Sequence, residues 1–285
     1  MKLAKLIVLG TAQDGGLPQA GCLQNCCDTA WQNTNSKRLA SCLALFEDSK
    51  KWLIDATPDF REQIHHLEEI SPNKNKLDGI FLTHAHVGHY AGLLHLGREV
   101  MNTKQLPVFA TPQMCNFLSE NAPWEQLVKL KNINLIPLEN EKPIELSESL
   151  KITSFAVPHR SEYTDTVGFL VEGSSKKVIF IPDIDDWEKW NVRVEDLISE
   201  VDFAFLDGTF YSEKELPNRN LDEIPHPLIS RSIERFSKLS KFEQEKIYFT
   251  HFNHSNPILN LESEERKEFE KLDIKILEEL LKFEI

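Results

Sequence analysis

The chain has 285 residues, 41% of them hydrophobic and 27% charged, the proportions of an ordinary soluble globular protein, which exclude a disordered one. A formal net charge of −13 excludes a broad grip on a phosphate backbone, which needs a basic face, so bulk nucleic acid is not an expected partner. A small anionic substrate stays open, because a buried dication reverses the local field.

From the start, the apolar run Leu6 to Leu9 is too short for a signal-peptide core and ends in a glycine turn, so it reads as a first β-strand. No other stretch approaches a membrane span, so the protein is expected in the cytoplasm with no membrane partner. The loop from Gly10 to Arg38 is long and carries Gly15, Gly16, Pro18, Gly21 and three clustered cysteines. Such loops are functional or pinned by something. Five cysteines, an odd number, do not suggest a disulfide framework. Cys42 and Cys115 sit in apolar contexts and read as core. Cys22 and Cys27, with Cys26, are soft ligands of the kind structural zinc prefers; reduced thiols lining a loop are the competing reading.

Ser41 to Phe46 and Trp52 to Asp55 read as a hairpin, followed by a helix from Asp59 to about Glu69. A strand at Gly79 to Leu82 leads into His84, His86 and His89, and the apolar-rich stretch from Tyr90 to Met101 reads as a helix. A strand at Pro107 to Ala110 and a helix from Pro112 come next. Beyond Ile133, NLIPL, LKITSFAV, TVGFLVEG and KKVIFIP are strand-like. Helices are expected at Trp187 to Glu200, Leu228 to Leu239 and Asn256 to Lys271, with strands at Asp202 to Leu206 and Lys246 to Thr250 between them. The end, IKILEELLKFEI, suits strand or helix. No linker or low-complexity segment interrupts the chain, so a single domain, 1–285, of mixed α/β class is expected.

Three of the ten histidines fall within six residues of one strand-to-helix junction. Residues two apart at a strand end point the same way, so His84 and His86 can converge while the turn brings in His89. Neutral imidazole is the commonest side-chain metal ligand, and the cluster predicts a metal site. His159, Asp183 and His251 each follow a strand-like run, where distant residues can meet on a rigid scaffold. Any one of them alone would read as a turn or helix cap.

THAHVGH resembles the HxHxDH signature of the metallo-β-lactamase superfamily. It is preceded by LIDATPD and followed in order by VPHR, FIPDID and YFTHFNH. GTAQDGGLPQ, LDGTF and IPHP resemble the branch that contains the pyrroloquinoline-quinone biosynthesis B protein and the cyclic phosphodiesterase of phosphonate breakdown. The resemblance covers nearly the whole chain and implies a four-layered αββα sandwich. It implies a first metal on His84, His86 and His159, a second on His89 and His251, and Asp183 bridging the two. The motif aspartate is replaced by Gly88, which removes a ligand and a water-orienting carboxylate; Asp165, Asp185 and Asp207 are the candidate replacements. The branch also places zinc on a CxCxxC loop and a late histidine. Here Cys22, Cys26, Cys27 and His254 are available, with Gln24 at the middle cysteine position.

The expected activity is metal-dependent hydrolysis of an ester or phosphodiester bond in a small molecule by a metal-activated water. The candidate catalytic residues are His226, as proton donor to the leaving group, and Asp183. One or two zinc ions, with manganese or iron as alternatives, and one structural zinc are the implied cofactors. Asp55 and Asp207 would orient ligands through hydrogen bonds, and Gly15, Gly16 and Gln19 would shape the pocket edge. Two other readings stand beside this one: an iron-dependent oxygenase-like enzyme related to quinone-cofactor biosynthesis, and a non-catalytic metal-binding scaffold. A homodimer is left open.

Overall fold

Alternation along the strands divides the apolar residues between two faces. In β1 (Lys5–Gly10), Leu6 and Val8 join one buried cluster and Ile7 and Leu9 another, as the period-2 geometry of a strand requires. The computed structural model describes residues 4–70, 76–215 and 223–285. Strand β1 pairs antiparallel with β2 (Cys42–Glu47), and β2 with β3 (Lys50–Ile54). Parallel strands β4 (Gly79–Phe81), β5 (Leu106–Ala110) and β6 (Ile133–Pro137) complete that side.

The second sheet repeats the plan. Strands β7 (Ile144–Glu145), β8 (Lys151–Ala156), β9 (Val167–Glu172) and β10 (Lys177–Ile181) run antiparallel. Strands β11 (Phe203–Asp207), β12 (Ile247–Thr250) and β13 (Lys275–Ile276) then add in parallel. Finally β14 (Lys282–Glu284) crosses back to pair with β1, giving, among the described residues, two seven-stranded sheets.

Between the sheets, Val8, Leu43, Trp52 and Phe81 pack with Phe169, Phe180 and Phe205. The Phe81 ring lies 4.4 Å from that of Phe109 in a stack and 5.8 Å from Phe169 edge-on, geometries that the aromatic quadrupole favours. On one outer face lie α2 (Phe60–Ile70), α4 (Pro112–Glu120) and α5 (Trp124–Lys129), burying Phe60, Leu67, Met114, Leu118 and Leu127. On the other lie α6 (Val194–Glu200), α7 (Ile229–Phe236) and α9 (Glu264–Phe269), through Ile198, Phe236 and Phe269. The layers are therefore α, β, β, α, as expected. Among the described residues no helix is long and apolar enough to cross a membrane.

Several local expectations change. The stretch from Tyr90 to Met101 is not one helix: α3 (Val87–Tyr90) gives way to a 3₁₀ segment, Ala91–Leu96. Gly92 explains the break, because its N–H donates to Ala56 O at 2.8 Å and a Cβ there would lie 2.2 Å from Thr57 O. The backbone is drawn onto its neighbour instead of continuing the helical ladder. The 10–38 loop contains α1 (Asn25–Gln32), which carries Cys26 and Cys27. The 256–271 stretch splits at Ser263, whose hydroxyl accepts from Arg266 N–H and starts α9 anew. The last twelve residues are strand at both ends.

Candidate metal centre

Strands β3, β4, β10, β11 and β12 each run parallel to at least one neighbour, and their C-terminal ends or the segments that leave them carry Asp55, His84, Asp183, Asp207 and His251. In parallel α/β sheets this is the edge where ligands gather. The β4–α3 turn brings His84 Nε2 within 2.9 Å of His86 Nδ1, and His159 Nε2 is 3.2 Å from the same nitrogen. Around the Asp183 carboxylate, Oδ2 is 3.0 Å from His89 Nε2, 3.1 Å from His251 Nε2 and 3.7 Å from His84 Nε2. Its Oδ1 is 3.5 Å from His159 Nε2. The six residues assigned as ligands from the sequence are thus brought together, with Asp183 between a group of three imidazoles and a group of two.

The tautomers follow from what each outer nitrogen meets. Asp55 Oδ2, which can only accept, lies 2.7 Å from His89 Nδ1, so that nitrogen carries the proton. Asp55 also accepts from Thr83 N–H at 2.8 Å and from Thr83 Oγ1–H at 3.0 Å. Thr83 Oγ1 is then left to accept from His84 Nδ1 at 2.9 Å. In the other half, Asp207 Oδ1 accepts from Thr209 Oγ1–H at 2.8 Å, and Thr209 Oγ1 accepts from His251 Nδ1 at 2.9 Å. His159 Nδ1 is 3.0 Å from Asp185 Oδ1, and His86 turns its Nε2 outward to Glu162 at 3.0 Å.

Five imidazole lone pairs and a carboxylate therefore face one another in a buried space. Two of these acceptors, Asp183 Oδ2 and His251 Nε2, have no hydrogen-bond partner. Such crowding of acceptors is costly without a cation among them, and the donor set fits a transition metal. Burial, with help from the neighbouring His89, holds His84 well below the usual imidazole range; burial also lowers His86 and His251. His89 goes the other way: burial opposes its charge, but Asp55 and Asp183 outweigh it and raise it well above that range. Burial likewise opposes ionisation of Asp183, yet His251, His159 and the other imidazoles keep it well below the carboxylate range.

His226 lies beside this group. Its Nδ1 is 2.8 Å from Asp207 Oδ2 and 3.7 Å from Asp183 Oδ1. Burial works against its charge, but Asp207 and then Asp183 raise it above the usual value.

None of the three carboxylates named from the sequence stands in for the missing one at Gly88. Asp165 accepts from Thr111 Oγ1, Asp185 is spent on His159, and Asp207 on Thr209 and His226. The neighbour is Asp14, whose Oδ1 accepts from Gly88 N–H at 2.9 Å and lies 3.9 Å from His89 Nε2. A Cβ on Gly88 would fall 2.2 Å from that oxygen and 2.5 Å from Asp14 Cα. Thr83, Thr209 and Glu162 also escaped the sequence reading. A Thr-His pair precedes both late and early motifs, but Thr209, not Thr250, does for His251 what Thr83 does for His84.

The sulfur cluster forms as well. Ligand atoms of Cys22, Cys26, Cys27 and His254 lie within 4.8 Å of one another, with His254 Nδ1 3.5 Å from Cys26 Sγ and 3.4 Å from Cys27 Sγ. Helix α1 places Cys26 where Gln24 had left a gap. Backbone N–H groups of Gln19 and Gln24 point at Cys27 Sγ and Cys22 Sγ, at 3.2 and 3.4 Å. Burial, together with the adjacent thiols, pushes Cys27 up to about 12, so three thiolates would not coexist there without a cation. Three sulfurs and one imidazole are a Cys₃His set of the structural zinc type. Between the two clusters lies a cavity of 330 Å³ lined by Gln13, Asp14, Gln19, Phe210, Asn253 and Ser255, among others.

A family model described as a beta-lactamase superfamily domain matches residues 50–252. Coenzyme PQQ synthesis protein B of Methylorubrum extorquens (strain PA1) is 28% identical over 298 residues, covering 93% of this chain and 94% of that protein. Zn(2+)-bound PqqB from Methylobacterium extorquens has a TM-score of 0.81 at 22% identity, covering 99% of this chain and 100% of that one. A diphosphatase from the PhnP family has a TM-score of 0.71 at 23% identity, with 99% and 98% covered. At such identities the structural likeness establishes the fold.

Proposed function

Because the chain belongs to the beta-lactamase superfamily, we propose that it is a metal-dependent hydrolase cleaving an ester or phosphodiester bond of a small molecule. The observation that carries this is the inward convergence of five imidazoles on Asp183, with the outer nitrogens of His84, His86, His89 and His251 each held by a hydrogen-bonding partner and that of His159 3.0 Å from Asp185 Oδ1. His84, His86 and His159 would hold one ion, His89 and His251 a second, with Asp183 shared. Zinc is the ion of the PqqB crystal structure, and imidazole with carboxylate suits it, as it suits iron and manganese. Such ions, when bound, supply Lewis-acid polarisation and lower the pKa of water from about 15.7 toward 7.

The chain's own residues do the rest. Asp207 fixes His226 Nδ1 and raises its proton affinity, so His226 is assigned as the acid that protonates the leaving oxygen through Nε2. The cavity beside Asp14 and Asn253, rich in side-chain amides, suits a small polar substrate. Cys22, Cys26, Cys27 and His254 are assigned to a structural zinc that ties α1 to the segment following His251.

His226→Gln is expected to lower turnover of a phosphodiester or ester substrate by about 10²–10⁴-fold while metal content, by elemental analysis, stays at the wild-type ratio. Unchanged turnover would remove the role. The similarity to coenzyme PQQ synthesis protein B supports a second reading, a step in coenzyme synthesis, and iron as the retained metal would point to oxidative chemistry there.

A further inference from the structure

We propose that Asp14 is a ligand of the second metal ion, delivered from a different loop into the place that a side chain at position 88 would take. This rests on the metal-centre reading above and adds a residue to it. The HAHVGH turn leaves the second site with His89, His251 and Asp183, one donor short of the four usual for zinc.

The missing side chain's volume is not empty. A Cβ at Gly88 would meet Asp14 Oδ1, Cα and Cγ at 2.2, 2.5 and 2.9 Å, so residue 88 must be glycine for Asp14 to be where it is. Asp14 Oδ1 is 3.9 Å from His89 Nε2. Two donors about 2.1 Å from one zinc ion stand at most about 4.2 Å apart, so this separation lets both reach one ion, at a wide angle.

Asp14 is also held as a ligand should be. Gln13 N–H donates to Phe252 O at 2.8 Å, next to His251, and Phe252 N–H donates to Thr11 O at 2.8 Å. On the other side Gly16 N–H closes a turn onto Gln13 O at 2.8 Å, with Gly16 at φ +68°, a conformation glycine adopts without strain. The loop's backbone is thus stitched to the segment that carries a ligand of the same ion. The nearby Cys22, Cys26, Cys27 and His254 group ties the same loop to that segment a second time. A further carboxylate brought to a space already holding Asp183 raises the repulsion among acceptors, which a cation relieves.

The test is zinc titration of the full chain against a chromophoric chelator, with a Cys27→Ser background to subtract the sulfur-bound ion. Asp14→Asn keeps an oxygen for Gly88 N–H but loses the charge. It is expected to weaken the second ion ten-fold or more while the first binds as in the wild type and the metal-free melting temperature is unchanged. Gly88→Ala, which pushes Asp14 away from the other side, is expected to weaken the same ion. Wild-type affinity for the second ion in Asp14→Asn would overturn the proposal, leaving Asp14 as a partner of the Gly88 N–H alone. Wild-type chain holding no ion beyond the sulfur-bound one would remove the metal-centre reading itself, and the proposal with it.

Discussion

Asp55→Asn replaces one oxygen by an amide nitrogen at a fully buried position, and its consequence follows from the hydrogen-bond inventory. Oδ1 accepts from both Thr83 N–H at 2.8 Å and Thr83 Oγ1–H at 3.0 Å. The remaining oxygen of the asparagine must stay there, since turning the amide round would bury an N–H against an N–H. The amide nitrogen then faces His89 Nδ1, at 2.7 Å in the wild type. As a donor it forces that nitrogen to accept, moving the imidazole proton to Nε2, where the second ion would bind. Outer partners of metal-bound histidines are worth about 10–100-fold in affinity, about 1.4–2.7 kcal/mol, and the tautomer change places this variant at the upper end. The relay from His84 through Thr83 survives, so the ion on His84, His86 and His159 should be unaffected. Competitive zinc titration resolves the two steps, and ¹⁵N spectra of the imidazoles report the tautomer directly. Equal losses at both ions, or His89 still protonated on Nδ1, would refute the reasoning.

Cys27→Ser is expected to lower the metal content by one equivalent in elemental analysis, and to lower Tm in zinc-replete buffer. At free zinc a thousand times Kd, the lost linkage is about 4 kcal/mol. Glu279 gives a stability effect with a defined sign. Burial pushes its carboxyl up to about 7, against the opposing help of Leu39 N–H and Arg38. The folded state therefore binds more protons than the unfolded one between about pH 4.5 and 7, and stability falls as pH rises through that window. Glu279→Gln should be more stable than wild type by about 1–2 kcal/mol at pH 8, allowing for partial exposure of the side chain, and no more stable at pH 4. Urea melts at the two pH values check it.

Where the chemistry was local in sequence it was legible. His84 and His86 share a side of one strand end, and His89 follows one turn later; nothing distant is needed to bring them together. His159, Asp183 and His251 were legible as strand-end residues only in combination, through the superfamily pattern. What escaped was compensation across the fold. Asp14 is separated from Gly88 by 74 residues, and no periodicity links the two; only the backbone pairing of the first loop with Phe252 does. Thr209 replaces Thr250 for the same reason, since the hydroxyl comes from the adjacent strand's exit. The expected helix after Tyr90 failed because apolar content does not register the close approach of Gly92 to Thr57, which decides the backbone path.

The two sheets repeat one arrangement and put it to different uses. In the first half a carboxylate, Asp55, takes a threonine hydroxyl that supports His84 and directly holds His89; in the second, Asp207 takes the Thr209 hydroxyl that supports His251 and directly holds His226. His89 and His226 are counterparts in this sense, yet they meet Asp183 differently. His89 brings its unprotonated side, Nε2, to 3.0 Å from Oδ2, whereas His226 shows Asp183 only its Asp207-bound Nδ1, at 3.7 Å. An imidazole whose Nδ1 is committed to a carboxylate, and whose Nε2 is not directed at Asp183, is placed to carry a proton instead of an ion. On the proposed reading, a single supporting unit used twice thus yields a metal ligand in one half and the acid in the other. The division follows from which nitrogen each sheet turns toward the shared aspartate.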